Sequence, residues 1–174
     1  MEINLMVINS GNSRVGVSVF VGGELQDVAI VGNNVKDGIE RAIVYHWDKI
    51  KGRENAAVAG CGVNPPVMAE LDEMVLRLTG QKIEWVGKDL DYPIEVKTDH
   101  PNETGADRIL NVAAAYEQMG KACVVVDAGT AITIDLCNDE GHFLGGAIAP
   151  GVGMMLDAMH KGTAKLPKVE MEEP

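Results

Sequence analysis

The sequence predicts an α/β protein built from two related βββαβα units with mixed sheets, the second of them incomplete. Three observations carry that expectation. Short alternating apolar runs separated by glycine turns come in threes, once over residues 3–31 and again over 122–150. Between the two sets, runs of helical period alternate with short apolar strands. Aligning Gly11 with Gly129 gives an offset of 118 (129 − 11), which places Asn9 on Asp127, Asn12 on Thr130, Val19 on Cys137 and Gly23 on Gly141.

Ile3 to Ile8 is a short apolar strand ending in the turn-forming cluster Asn9-Ser10-Gly11-Asn12-Ser13. Arg14 to Val21 alternates Val15, Val17, Val19 and Val21, and Gly22-Gly23 is a hairpin connection into Glu24 to Val31. Lys36 to Ile50 carries Ile39, Ala42, Ile43, His46, Trp47 and Ile50 at three-four spacing and predicts an amphipathic helix. A buried strand over Ala56 to Ala59 follows, closed by Gly60-Cys61-Gly62. Pro65 or Pro66 then opens a helix that Gly80 stops. Ile83 to Val86 is a further strand, and a proline-bearing loop from Asp91 to Pro101 leads to a helix over Thr104 to Tyr116, ended by Gly120. The first domain is therefore expected over 1–120 and a partial second over 121–174.

The second unit opens with Cys123 to Asp127, turns at Asp127-Ala-Gly129-Thr130, alternates Ile132, Ile134 and Leu136, turns again at Asn138 to Gly141, and runs from Phe143 to Pro150. A helix from Val152 to His160 is closed by Gly162. Residue 174 matches residue 56 of the first unit (174 − 118), so the copy reaches only to its expected fourth strand. A full duplicate would need about 236 residues, twice the offset. Lys168 to Pro174, with four acids among seven residues, reads as a frayed end.

Hydrophobic content of 46% with 24% charged residues is that of a soluble globular protein. A net charge of −11 argues against a nucleic-acid surface, since binding phosphate backbones needs clustered Lys and Arg. An anionic ligand must instead be held by glycine turns, helix N-termini or a bound cation. Cys61, Cys123 and Cys137 are odd in number and sit in apolar runs, which reads as buried thiols in a reducing compartment. Met1 to Ile8 lacks the basic flank and length of a signal peptide or membrane span, so a cytoplasmic location is expected, with no membrane partner.

The chemistry gathers at three places. The turn at Asp127, Gly129 and Thr130 joins a carboxylate, a glycine that lets a ligand approach the backbone, and a small hydroxyl, the groups a metal-phosphate site needs. The matching turn at Asn9, Gly11, Asn12 and Ser13 is ordinary turn chemistry taken singly, but two equivalent turns in a duplicated fold suggest a nucleotide cleft. Gly105, Asp107 and Arg108 open a helix, where Asp107 reads either as a first-turn acid beside a solvated Arg108 or as a base facing a substrate hydroxyl. His46, His100, His142 and His160 lack metal-ligand spacing, although His100 lies in the loop just before Asp107. Gly145-Gly146 and Pro150-Gly151 read either as close backbone approaches or as simple loop geometry. The nine methionines read as packing residues.

With Gly11-Asn12-Ser13, Pro101 with Gly105-Ala-Asp-Arg108, Asn111-Val-Ala-Ala114, Asp127-Ala-Gly-Thr-Ala131 with Thr133 and Asp135, and Gly145-Gly-Ala-Ile-Ala-Pro-Gly151 with Ala164-Lys-Leu-Pro167, the chain resembles the bacterial type III pantothenate kinases, of the actin-like (ribonuclease H-like) ATPase superfamily. The resemblance implies ATP-dependent phosphorylation of pantothenate to 4'-phosphopantothenate, the first step of coenzyme A biosynthesis. It implies Asp107 as catalytic base, with Gly105, Arg108, Tyr92 and His100 binding substrate. It also implies Asn9, Gly11, Asn12, Ser13, Gly129 and Thr130 on the ATP phosphates, and Asp127 toward the metal. ATP, Mg2+, a monovalent cation (K+ or NH4+) and a homodimer or a completing partner chain follow from the same resemblance.

Two departures from the family pattern matter. Asn9 stands where the family has Asp, so weaker metal-ATP binding is expected. The family chain also continues beyond the last residue here. A catalytically impaired pantothenate-binding or regulatory subunit needing a partner chain is thus the alternative to the kinase or half-kinase reading.

Overall fold

Three antiparallel strands begin the chain in the computed structural model, which describes residues 2–169: β1 (Asn4–Ser10), β2 (Arg14–Val21) and β3 (Glu24–Gly32). Helix α1 (Lys36–Asp48), strand β4 (Ala56–Gly62), helix α2 (Pro65–Thr79) and strand β5 (Ile83–Trp85) follow. β4 and β5 join in parallel, and the sheet order is β3-β2-β1-β4-β5. The expected mixed sheet and its alternation of elements are therefore present. α2 starts as its sequence requires, with Asn64 accepting from the Val67 amide and proline in the first turn, and it ends on Gly80 at φ 73°.

One face of this sheet packs with both helices into a core of Met6, Ile8, Val15, Val17, Val19, Val58 and Trp85 from the strands, with Ile39, Ile43, Leu71 and Val75 from α1 and α2. Gly60 is dictated by that core, because a Cβ there would lie 2.5 Å from the Trp85 ring.

Helix α3 (Ala106–Met119) leads to a second sheet of β6 (Cys123–Ala128), β7 (Ala131–Cys137) and β8 (Phe143–Pro150), all antiparallel, followed by α4 (Val152–Gly162). Two compact units result: residues 1–92 with 105–107, and 93–104 with 108–174. The boundary expected after Gly120 was drawn from the sequence repeat, and this division by packing falls elsewhere. Of the tail expected to fray, residues 170–174 lie outside the described residues.

The repeat needs one correction. Asn9 pairs with Gly16 across β1 and β2, while Asp127 pairs with Thr133 across β6 and β7. The second turn is thus one residue shorter, and the offset falls from 118 to 117 (133 − 16) beyond it. Val19 therefore corresponds to Leu136 rather than to Cys137.

With that register, the register pair Ile8 and Val17 corresponds to the pair Val126 and Ile134. The first two are 0% exposed, while the second two are 62% and 43% exposed. The apolar alternation on β7 is thus as expected, but the face it marks is uncovered in the second unit. Helix α4 likewise buries no residue, and Met154 and Met159 stand on its exposed surface.

Candidate functional site

In the first unit, the turn between β1 and β2 is closed by the Gly11 amide donating to the Arg14 carbonyl at 3.0 Å. Asn33, at the end of β3, clips this turn from outside: its Nδ2 donates to the carbonyls of Gly11 at 3.1 Å and Asn12 at 3.0 Å. Asn9, Asn12 and Ser13 are exposed around it. The Ser10 hydroxyl is buried without a partner at the root of the turn. Sequence reasoning missed Asn33, since an isolated asparagine after a strand carries no distinguishing spacing.

Asp107 stands in the first turn of α3, beside residues of the same unit. A Cβ on Gly105 would lie 2.7 Å from the Asp107 Oδ1 and 3.4 Å from Val63, so glycine makes room for that carboxylate. Cys61, at the end of β4, is buried, and burial first, then the Asp107 charge, pushes its thiol up to about 12 from an ordinary 9.0. Burial likewise raises the Tyr92 phenol, with smaller contributions from Cys61 and Asp107. Asp107, Gly105 and Tyr92, expected from sequence, thus share one environment, and Cys61 joins them. Its position was legible only as an apolar thiol.

In the second unit, Asp127 is exposed on β6, and Asn111 Nδ2 of α3 donates to its Oδ2 at 3.0 Å. The turn that follows is tight, with the Gly129 amide bonded to the Ala131 carbonyl at 2.9 Å. Gly151 lies against this turn: its amide donates to Thr130 O at 3.1 Å, and a Cβ on it would come within 2.3 Å of Gly129 O. Gly151 is thus a close approach to the backbone of the neighbouring turn. Gly151 is also the N-cap of α4, where no side chain caps the helix. Free amides at a helix start beside a glycine turn fit a phosphate.

Arg108 takes a different environment from the one its neighbour Asp107 suggests. Its Nε donates to both carboxylate oxygens of buried Asp135 on β7, at 3.0 and 3.2 Å, and its guanidinium lies over the Phe143 ring. His100 is exposed at the start of a short 3-10 turn, Pro101–Glu103. Sequence reasoning missed Asp135 as the partner of Arg108, since 27 positions separate the two and no spacing signals the contact.

Among the described residues, no group of three or more His, Cys, Asp or Glu side chains is arranged to hold a metal. A single carboxylate such as Asp127 fits Mg2+ carried mainly by phosphate oxygens and waters, which is how that ion is commonly held. A cleft of about 620 Å³ in the second unit, lined by Pro93, Leu110, Tyr116, Glu140 and His142, contains none of the expected site residues. No helix among the described residues is long and apolar enough to cross a membrane.

A family model described as type III pantothenate kinase matches residues 5–174. Proteins named type III pantothenate kinase from Moorella thermoacetica and from Anaeromyxobacter sp. (strain K) are 34% and 33% identical over 175 residues, covering 98% of this chain and 69% of each relative. The fold is similar to solved structures of an Aquifex aeolicus Ppx/GppA phosphatase (TM-score 0.56, 11% identity, 97% of this chain and 58% of that one) and a Cytophaga hutchinsonii exopolyphosphatase (TM-score 0.53, 11% identity, 91% and 54%). At such identities the likeness is one of fold, the duplicated actin-like α/β architecture.

Proposed function

We propose that this chain, which belongs to the type III pantothenate kinase family, carries or forms part of an ATP-dependent pantothenate kinase that yields 4'-phosphopantothenate. The observation that carries the proposal is Asp107: a half-buried carboxylate at a helix start, with Gly105 making room for it. Asp107 takes the proton of the substrate's primary hydroxyl as the new oxygen–phosphorus bond forms. Gly105, Tyr92, Arg108 and His100 bind the substrate, and Asp135 fixes the rotamer of Arg108.

The turns Asn9-Gly11-Asn12-Ser13 and Gly129-Thr130 present amides and hydroxyls to the triphosphate, aided by the α4 N-terminus. Asp127 would help hold Mg2+ on the nucleotide, and the ion would supply charge neutralisation for the phosphoryl group. A monovalent cation, K+ or NH4+, and a location in the cytoplasm complete the reading. The weaker alternative is a binding module that cannot transfer phosphate, since Asp107, Arg108, Asp127 and Thr130 are all retained.

A partner or further segment is part of the proposal. In the first unit β4 adds in parallel to β1, and helices cover the face bearing Ile8 and Val17. The repeat, taken as units 1–120 and 121–174, therefore calls for a βαβ segment that pairs with the free edge of β6 and covers Val126 and Ile134. That segment, from this polypeptide's own continuation or from another chain, completes the enzyme, and a homodimer is the expected assembly.

The test is transfer of radiolabelled phosphate from ATP to pantothenate by the native assembly. Activity lost in Asp107→Asn with nucleotide binding retained is the expected result. Absence of transfer by the native assembly, with pantothenate still bound, would establish the module instead.

A further inference from the structure

The two thiols of the second unit form a pair that the kinase reading does not use. Cys123 opens β6 and Cys137 closes β7, and the two are direct register partners across the antiparallel ladder. Side chains of register partners project from the same face, and their Cα atoms lie about 4.5–5.5 Å apart, within the range a disulfide spans. Both are free thiols. The strand ends bearing them are pinned, since the Ala122 amide donates to Asp139 Oδ1 at 3.0 Å just outside the pair, and Phe143 is the register partner of Cys137 on β8.

The two sulfurs are unlike in exposure. Cys123 is half-buried, whereas Cys137 is buried and its thiol donates to the Asn138 carbonyl at 3.5 Å. Burial raises the Cys137 thiol, and its neighbour Cys123 adds to that. An incoming reagent therefore meets Cys123 first. Cys61, also buried, belongs to the other compact unit and serves as an internal control.

We infer that Cys123 and Cys137 are a reversible modification site, closing a cross-strand disulfide when the chain meets a low-molecular-weight disulfide such as oxidised glutathione. The Cys123 thiolate attacks one sulfur of the reagent, forming a mixed disulfide and releasing one thiol. Cys137 then gives up its proton and attacks the Cys123 sulfur, forming the intramolecular bond and releasing the second thiol. Two protein thiols are oxidised and one external disulfide is reduced to two thiols, so electrons and protons balance. The bond closes a loop over residues 123–137 at the open end of the hairpin whose other end is the Asp127-Ala-Gly129-Thr130 turn. The inference is independent of the kinase reading.

The test is incubation of the native protein with oxidised glutathione, alkylation of remaining thiols, cleavage before aspartate, and mass spectrometry. Cleavage at Asp127 and Asp135 separates the two cysteines unless they are bonded. The expected result is a Cys123–Cys137 link within one chain, reversed by reduced glutathione, with Cys61 alkylated only on denaturation. The oxidised protein should unfold at a higher temperature than the reduced one, and Cys123→Ser should abolish that difference. Glutathione retained on Cys123 with Cys137 still a thiol, or links only between chains, would overturn the inference.

Discussion

Arg108 and Asp135 form a buried ion pair in which one guanidinium nitrogen bonds both carboxylate oxygens and the ring of Phe143 lies beneath the guanidinium. Gly146, the register partner of Asp135 on β8, has no room for a side chain, because a Cβ there would sit 2.0 Å from the Ile134 carbonyl oxygen and 2.6 Å from Asp135 Oδ1. The side chains of Arg108 and Asp135 are only 14% and 2% exposed, so removing one partner weakens the pairing of a charge held away from water. Asp135→Ala is expected to destabilise the protein by about 3 kcal/mol, read from urea unfolding. Replacing both, as Arg108→Met with Asp135→Leu, should recover much of that loss while lowering substrate affinity. A single variant as stable as the wild type would show that the pair contributes nothing net.

The turn beneath α4 gives a second, sharper test. Gly151→Ala places a methyl group 2.3 Å from Gly129 O and 2.4 Å from Thr130 O, both backbone atoms that cannot swing aside. A loss of about 1–3 kcal/mol is expected from that overlap, together with weaker ATP binding by calorimetry. Gly153→Ala, two residues on and with nothing within 4 Å, is the control and should stabilise the helix by up to about 1 kcal/mol.

Which parts of this arrangement could be read from residues alone follows from range. Turns and caps are local, so Gly80 ending α2, Gly22-Gly23 joining β2 to β3, and the expected order of all strands and helices were legible. Spacing, which is local, placed Gly105 and Asp107 at a helix start, while their expected roles came from the family resemblance. The Asn33 clip, the Cys61 neighbourhood and the partner of Arg108 depend on contacts between residues 21 to 46 positions apart, which no local pattern encodes. The uncovered face of β6 and β7 shows the limit from the other side. Alternation at Ile132, Ile134 and Leu136 marks a face suited to burial, yet Ile134 and Leu136 are exposed.

Asn9 is the one position where the two equivalent turns differ in charge, opposite Asp127 in the repeat. It is exposed and pairs with Gly16, so a carboxylate fits there without repacking. Asn9→Asp is expected to tighten Mg2+-ATP binding by roughly tenfold, about 1.4 kcal/mol, with little change in magnesium-free nucleotide binding. Equal affinity for both nucleotide forms before and after the change would show that residue 9 does not face the metal.

The Cys61 thiol provides a pH test of the Asp107 environment. Its folded value of about 12 exceeds the ordinary 9.0, so the folded chain holds this proton more tightly than the unfolded one. The stability this contributes is fully present below pH 9, and it is lost as pH rises from 9 toward 12 and the unfolded chain releases the proton first. Across that window stability should fall by up to about 1.4 kcal/mol per pH unit. Urea unfolding of wild type and Cys61→Ala at pH 8, 9 and 10 measures it: the variant should lose much of the alkaline slope, leaving the weaker contributions of Tyr92, Cys137 and Lys49, which are raised in the same direction. Because the Asp107 charge is a secondary cause of the rise, Asp107→Asn should lower the folded thiol's pKa and so end the alkaline loss at a lower pH, leaving the slope between pH 8 and 10 nearly as it was; a thiol titration of the folded variant that matches the wild type would separate the two side chains.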